Sequence, residues 1–230
     1  MPREPYHRHP LGSIVVIGLA MLVALMLALF LVDAIAYAYR RIGISEGALF
    51  ALVLASLFGG AVDIPIARLR GKAAPAAAEI VAFGMRYRVP IVRRPAPTIL
   101  AVNLGGALIP TGVSLLLVIH DELWWQAAIA ILAVATLVHA VARPVAGLGI
   151  AVPGLLPPLA AAAAAVLLDP HAAAAVAYIS GTLGTLIGAD LMNLRRLTSL
   201  GAGVASIGGA GTFDGVFLSG VIAVLLIAFS

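Results

Sequence analysis

Long apolar runs alternate with short polar breaks along this chain, and each run approaches the length needed to cross a bilayer. A transmembrane helix takes about 20 mostly apolar residues. Residues 11–37 supply the first such run and residues 46–66 the second. Residues 67–96 form the one long polar stretch, and further runs follow at 97–119, 123–142, 144–168, 171–194 and 200–229. The pattern predicts an all-α, polytopic transmembrane helical bundle of about seven spans. It forms a single integral membrane domain over residues 1–230, with 67–96 as a basic cytoplasmic loop. The fifth run carries Pro153, Pro157 and Pro158, and the seventh carries Gly201, Gly203, Gly208, Gly209 and Gly211. Proline removes a backbone donor and clashes one turn back, and each glycine costs a helix about 1 kcal/mol against alanine. Neither run is therefore expected as one regular helix. Residues 201–211 are expected to enter as a loop, with Asp214 opening the last helix. The first run follows Arg3 and Arg8 as a signal peptide would, but its apolar core is too long and more spans follow, so it reads as an uncleaved anchor.

The polar stretch has its own period. Val81, Phe83, Met85, Tyr87, Val89 and Ile91 alternate with intervening residues that include Arg86 and Arg88, a spacing of two that belongs to strands. It predicts a short hairpin on the cytoplasmic surface or an amphipathic segment at the lipid headgroups. The plainer reading is a solvated basic loop that sets topology.

Composition sharpens the class. The chain is 63% hydrophobic and 10% charged, with mean hydropathy +1.13. A soluble domain is about half apolar and about a quarter charged, so the excess apolar surface must face lipid. The chain has no cysteine, which excludes disulfides, thiolate metal sites and cysteine nucleophiles. Its net charge of +4 is spread between apolar runs, where it orients a membrane protein and does not mark a nucleic-acid partner. With the N-terminus in the cytoplasm, 12 of the 14 basic residues fall inside and only Arg40 and Arg41 outside. The outer turns then hold Glu46, Asp121, Glu122 and Asp169, and Trp124 and Trp125 form an interfacial belt. The positive-inside bias thus predicts an inner-membrane protein with its N-terminus in and its C-terminus out.

Polar residues within apolar runs are costly and mark candidate sites. Asp63 sits in Gly59-Gly60-Ala61-Val62-Asp63-Ile64-Pro65, and Asn103 in Val102-Asn103-Leu104-Gly105-Gly106. Asp190 and Asn193 sit in Gly188-Ala189-Asp190-Leu191-Met192-Asn193, and Thr212 and Asp214 in Gly208-Gly209-Ala210-Gly211-Thr212-Phe213-Asp214-Gly215. The span order puts all six in the inner half of the bundle. Set against this, an aspartate at a helix end can cap it or reach headgroups, and glycines such as Gly184 and Gly188 can serve helix packing alone. Asp33 reads as interfacial, and His120, His139 and His171 as structural, since they have no ligand spacing.

Three stretches together resemble the domain of unknown function 1614 (DUF1614) family of prokaryotic membrane proteins. They are Val102-Asn103-Leu104-Gly105-Gly106-Ala107-Leu108-Ile109-Pro110, Ile179-Ser180-Gly181-Thr182-Leu183-Gly184-Thr185-Leu186-Ile187-Gly188-Ala189-Asp190 and Ser206-Ile207-Gly208-Gly209-Ala210-Gly211-Thr212-Phe213-Asp214-Gly215. The resemblance implies a membrane location and supplies no activity. A second resemblance is to the GxGD intramembrane aspartyl proteases, in which two aspartates on neighbouring helices face each other. It would make Asp190 and Asp214 the catalytic pair. The motif departs from that family's: Thr212 and Phe213 intervene between Gly211 and Asp214, and Ala189 precedes Asp190 where presenilin-like enzymes have tyrosine.

Three functional classes follow. The first is a transporter-like membrane protein whose acidic inner-leaflet cavity binds or moves a small cation, proton or solute through Asp63, Asn103, Asp190, Asn193, Thr212 and Asp214. The second is an aspartyl hydrolase, in which Asp190 and Asp214 would share a proton and activate water. The third is a structural or assembly protein whose polar residues hold helices together. A nucleotide-driven pump is argued against, since Gly201-Ala202-Gly203 lacks the Gly-Lys-Ser/Thr of a phosphate loop, and the sequence leaves any cofactor unknown. Beyond the lipid bilayer no protein partner is indicated.

Overall fold

The computed structural model describes residues 10–69, 75–82, 85–92, 98–145, 149–197, 204–209 and 215–228. Helix α1 (Pro10–Arg41) and helix α2 (Glu46–Gly59) open the chain. Strand β1 (Asp63–Leu69) follows, then a hairpin of β2 (Pro75–Ala82) and β3 (Met85–Val92), then β4 (Thr98–Asn103). A π turn (Leu104–Leu108) leads into α3 (Ile109–His120), and α4 (Trp124–Val141) runs back. Short strands β5 (Arg143–Val145) and β6 (Gly149–Ala151) precede α5 (Leu156–Leu168). Helix α6 (Ala173–Ile179) continues through π turns Ser180–Gly184 and Leu186–Asp190 and a 3₁₀ turn Leu191–Asn193 into α7 (Leu194–Leu197). Strand β7 (Val204–Ile207) and helix α8 (Gly215–Ala228) end the described chain.

The helices make the bundle that the apolar runs predict. Three stretches are long and apolar enough to cross a membrane: Leu19–Arg41, Trp124–Val141 and Ala173–Asn193. Four shorter apolar helical stretches accompany them: Phe50–Gly59, Leu104–His120, Leu156–Leu168 and Gly215–Ala228. The apolar window of the third stretch is 72% buried and that of the first 12%, so α6 is the central helix and α1 the peripheral one. Leu22, Met26 and Phe30 of α1 are exposed, as suits a face turned to lipid. The core gathers Ile35, Tyr39, Val134, Val138, Val176, Ile179, Phe217 and Val224 from four helices. Small residues let α6 approach its neighbours, as their spacing suggests. A Cβ on Gly184 would lie 2.7 Å from Val134, and one on Gly181 would lie 2.9 Å from the Ser219 carbonyl of α8.

At one end of the bundle lies a three-stranded sheet, order β1-β4-β7, which the run pattern does not show. Strand β1 is antiparallel to β4 and β7 is parallel to it. Pro65 sits on the edge strand β1, where the register shifts between Pro65 and Ala67. Edges and bulges are where a sheet tolerates proline. The central strand β4 is the most buried, and a second apolar cluster of Leu100, Ala107, Leu186, Ala205, Ile207 and Val216 seats the sheet on the bundle.

Several elements begin or end elsewhere than the runs suggest. The second run is helical only to Gly59, and Asp63 lies in a strand, not a helix end. Asn103 ends a strand and caps the π turn after it, where a first helical turn was expected. The fifth run is broken as its prolines predict: Pro157 and Pro158 fall in the first turn of α5, where a missing N–H costs nothing. Within residues 204–209 the seventh run is strand and turn, not helix, and Gly208 and Gly209 both have positive φ, +80° and +75°.

Candidate functional site

The sheet brings together residues that are far apart in sequence. The β1–β4 register sets Asp63 directly opposite Asn103, and the β4–β7 register sets Ala101 beside Ser206. Asn103 is fully buried. Its Nδ2 donates to the Gly60 carbonyl (2.9 Å) and to Asp63 Oδ1 (3.1 Å), and its Oδ1 accepts from the Gly106 N–H (2.7 Å). One amide thus ties the end of α2, the start of β1 and the first π turn together. The Leu104 N–H completes the join by donating to the Val62 carbonyl (2.9 Å). The glycines here are steric necessities. A Cβ on Gly105 would collide with the Ser56 carbonyl and the Gly60 nitrogen, both backbone.

Asp63 Oδ1 takes a second hydrogen bond from Ser206 Oγ (2.6 Å). Two positions along, the Gly208 N–H donates to Asp190 Oδ2 (2.8 Å). Gly208 needs its left-handed φ of +80° to turn there, and a Cβ would press on Ala107. Asp63 is exposed, Ser206 and Asp190 half-buried and Asn103 buried. Asp63 on the edge strand is thus held by an amide and a hydroxyl, and Asp190 of the α6 stretch by the backbone N–H just after β7. Both are anchored to one short segment. Consecutive Cα atoms lie about 3.8 Å apart, so the two anchor points are at most about 7.6 Å apart.

Two of the six sequence-predicted residues, Asp63 and Asn103, are in direct contact, and Asp190 reaches the turn after β7 through the Gly208 N–H. Asn193 goes elsewhere. Its Nδ2 faces the Gly188 and Ala189 carbonyls (2.9 and 3.0 Å) and His139 Nδ1 (3.2 Å). Asn193 thereby closes the distorted end of α6 and joins it to α4. Its buried Oδ1 has no partner among the described residues. Thr212 and Asp214 lie outside the described residues, so the pairing of Asp190 with Asp214 does too. Ser206 was not singled out in sequence. A serine in an apolar run is common, and only the parallel strand brings it to Asp63, 143 residues away.

Among the described residues, no group of three or more His, Asp or Glu is placed to hold a metal ion. A cavity of ≈ 570 Å³ lies between the end of α4 and β6, lined by Ala140, Val141, Arg143, Ala151, Val152 and Pro153. It contains none of the predicted site residues.

The fold defines a polytopic helical membrane protein in which broken helices give way to a small sheet, with Asp63 on its edge strand and Asp190 bonded to the turn after β7. Residues 57–226 match the family described as protein of unknown function (DUF1614), and the chain belongs to that family. No curated protein and no solved structure matches it. The match begins just before Gly59 and takes in all three strands of the sheet and every residue of the site.

Proposed function

We propose that the chain is a single-domain, seven-span protein of the cytoplasmic membrane, N-terminus in and C-terminus out, whose acidic end binds or moves a small cation, a proton or a solute. The observation that carries this reading is Asp63: an exposed carboxylate whose Oδ1 accepts from both a buried amide and a serine hydroxyl. A carboxylate that only capped a helix or reached headgroups would not need orienting from two other strands. Asp63 and Asp190 are the acceptors in this reading, with Asn103 and Ser206 orienting. Thr212 and Asp214, which lie outside the described residues, are part of this reading from the sequence alone, and Asn193 steadies the helical stretch that carries Asp190.

Depth supports it. Helix α2 has 14 residues, or about 21 Å at 1.5 Å per residue, against a hydrocarbon core of about 30 Å. Starting from the outer turn, it stops about two-thirds of the way across, and β1 takes over near the inner leaflet. Non-helical backbone at such depth is tolerated where protein buries it or water reaches it. Broken elements of this kind form ion and solute sites in transporters.

Purified protein in detergent tests the reading by thermal unfolding in sodium, lithium or potassium chloride against choline chloride at constant ionic strength, and across pH 5–8. A ligand that binds only the folded state raises stability by about 2.7 kcal/mol at a hundredfold excess over Kd. The expected result is a saturable rise in midpoint with one cation, or with protons, that Asp63→Asn abolishes. Midpoints that respond identically in wild type and Asp63→Asn would defeat the cation and proton forms of the proposal.

A further inference from the structure

Helices α1 and α2 contact each other beyond the turn that joins them, and each keeps one face off the core. On α1, Ile35, Ala38, Tyr39 and Ile42 are buried in the bundle. Asp33, Ala36 and Arg40 are spaced i, i+3, i+7, which sets them on one face of the helix. On α2, Gly47, Phe50 and Val53 recur every third residue in the same way. The two faces line a cavity of ≈ 410 Å³ between the helices. Asp33, Arg40 and Phe50 are exposed in it, and no hydrogen bond or ion pair joins Asp33 to another described residue, Arg40 included. Asp33 takes no part in the site at the sheet.

Depth and lining together select what the cavity takes. Arg40 and Arg41, in the last turn of α1, mark the headgroup level. Asp33 lies about 12 Å further along the helix at 1.5 Å per residue, and a headgroup layer is about 6 Å thick. Its carboxylate therefore looks into the edge of the hydrocarbon, where an unpaired charge is costly and calls for a positive partner. A metal cation needs several oxygen ligands, and among the described lining residues Asp33 brings the only carboxylate, with Ala36, Phe50 and Val53 around it. A helix bearing a lysine is about 10 Å across, too wide for a space the size of one drug-like molecule. The amine of a lipid headgroup stays at the level of the arginines. What remains is a cation that carries its own apolar shell. We propose that this groove binds a lipophilic organic cation, of the quaternary ammonium or phosphonium kind, drawn from the bilayer. Its charge sits by Asp33, its apolar arms lie on Ala36 and Val53, and the Phe50 ring offers its face to the cation. Arg40, at the headgroup end of the groove, has the wrong sign to hold the ligand and turns cations away on the water side. This proposal is independent of what Asp63 and Asp190 bind.

Tetraphenylphosphonium, a cation of this class, and tetraphenylborate, an anion of the same shape, make a matched pair of probes. The full-length protein goes into phosphatidylcholine nanodiscs, and equilibrium dialysis reads binding above that of empty discs. Wild type should bind the phosphonium saturably. Asp33→Asn should weaken it by about tenfold or more, and Asp33→Glu, which keeps the charge, should retain it. Phe50→Leu should cost a few-fold, and Arg40→Gln should not weaken binding. Thermal unfolding confirms that each variant is folded, and if Asp33→Asn is not, the borate probe and Phe50→Leu decide. Equal phosphonium affinity in wild type and folded Asp33→Asn, or borate bound as well as phosphonium, would mean partition onto an apolar surface. Phosphonium binding untouched by Phe50→Leu would place it outside this groove. Binding lost in Arg40→Gln would mean that the occupant spans both charges, as a zwitterion or a lipid headgroup does. Each of these results overturns the proposal.

Discussion

At the scale of single residues, the site divides into a group that holds the fold and a group that faces outward, and the two should respond differently to substitution. Asn103 is fully buried with three hydrogen bonds, two of them to backbone. Removing a buried partner leaves the groups it served unsatisfied, at about 1–3 kcal/mol each. Asn103→Ala is therefore expected to lose about 2–4 kcal/mol of stability, read from denaturant or thermal unfolding in detergent. Asp63 is exposed, and Asp63→Asn keeps an oxygen for Asn103 Nδ2 and Ser206 Oγ, so its loss should stay within about 1 kcal/mol. Equal damage from the two would make Asp63 a structural residue. In the sequence Asp63, Asn103 and Asp190 stand out because polar groups in apolar runs are expensive. The sequence could not separate the lock from the open group, because burial depends on a sheet whose strands come from three distant segments.

At the scale of elements, the helices were legible and the sheet was not. A short apolar run such as residues 98–103 has the same composition whether it ends a helix or lies in the middle of a sheet, and periodicity cannot tell the two apart. The glycines at 59, 60, 105, 106, 208 and 209 announced the breaks without saying what filled them. In β2–β3 the alternation of polar and apolar residues did announce strands, and a hairpin is what the backbone forms there, one of the alternatives expected. The start of α6 depends on a different signal. Asp169 follows α5, and its Oδ1 accepts from the His171 and Ala172 N–H groups while its Oδ2 accepts from Gln126 on α4. The Ala172 N–H first, then the Gln126 amide, hold its carboxyl below the ordinary value of 3.8. Because the folded pKa is depressed, the stabilisation is present above the ordinary value and is lost as pH falls through the folded one. Wild type should therefore unfold at a higher temperature than Asp169→Asn at pH 6, and the gap should close as pH falls below about 4. A gap that persists unchanged to pH 3 would show that the carboxylate charge does not support this turn.

At the scale of the whole molecule, the bundle has two chemically distinct ends. Tyr39 near the end of α1 meets Tyr178 near the end of the short helix α6, hydroxyl to hydroxyl at 3.3 Å, and Gln126 at the start of α4 meets Asp169 between α5 and α6. These contacts gather the α1–α2, α3–α4 and α5–α6 turns at one end, with Asp121, Glu122, Asp169 and the two tryptophans. The sheet, Asp190, Arg143 and Arg196 lie at the other. Arg40 and Arg41, in the last turn of α1, lie at the same end as Asp121, Glu122 and Asp169. Which end faces the cytoplasm, and whether every short helix crosses, turns on α2, α5 and α8, with 14, 13 and 14 residues. Each is about 20 Å long and needs flanking strand or loop to complete a crossing of about 30 Å. The seven crossings proposed above would put the two termini on opposite sides, and the positive-inside bias would put the sheet end inside. Fusions of a fluorescent reporter active only in the cytoplasm and a phosphatase active only outside should therefore give an inside signal at the N-terminus and after residue 197. The outside signal should come after residue 122 and at the C-terminus. If the fusion after residue 197 and the C-terminal fusion both report the cytoplasm, α8 does not cross. The final helix would then lie against α5 and α6 as a re-entrant element, and the bundle would have six spans.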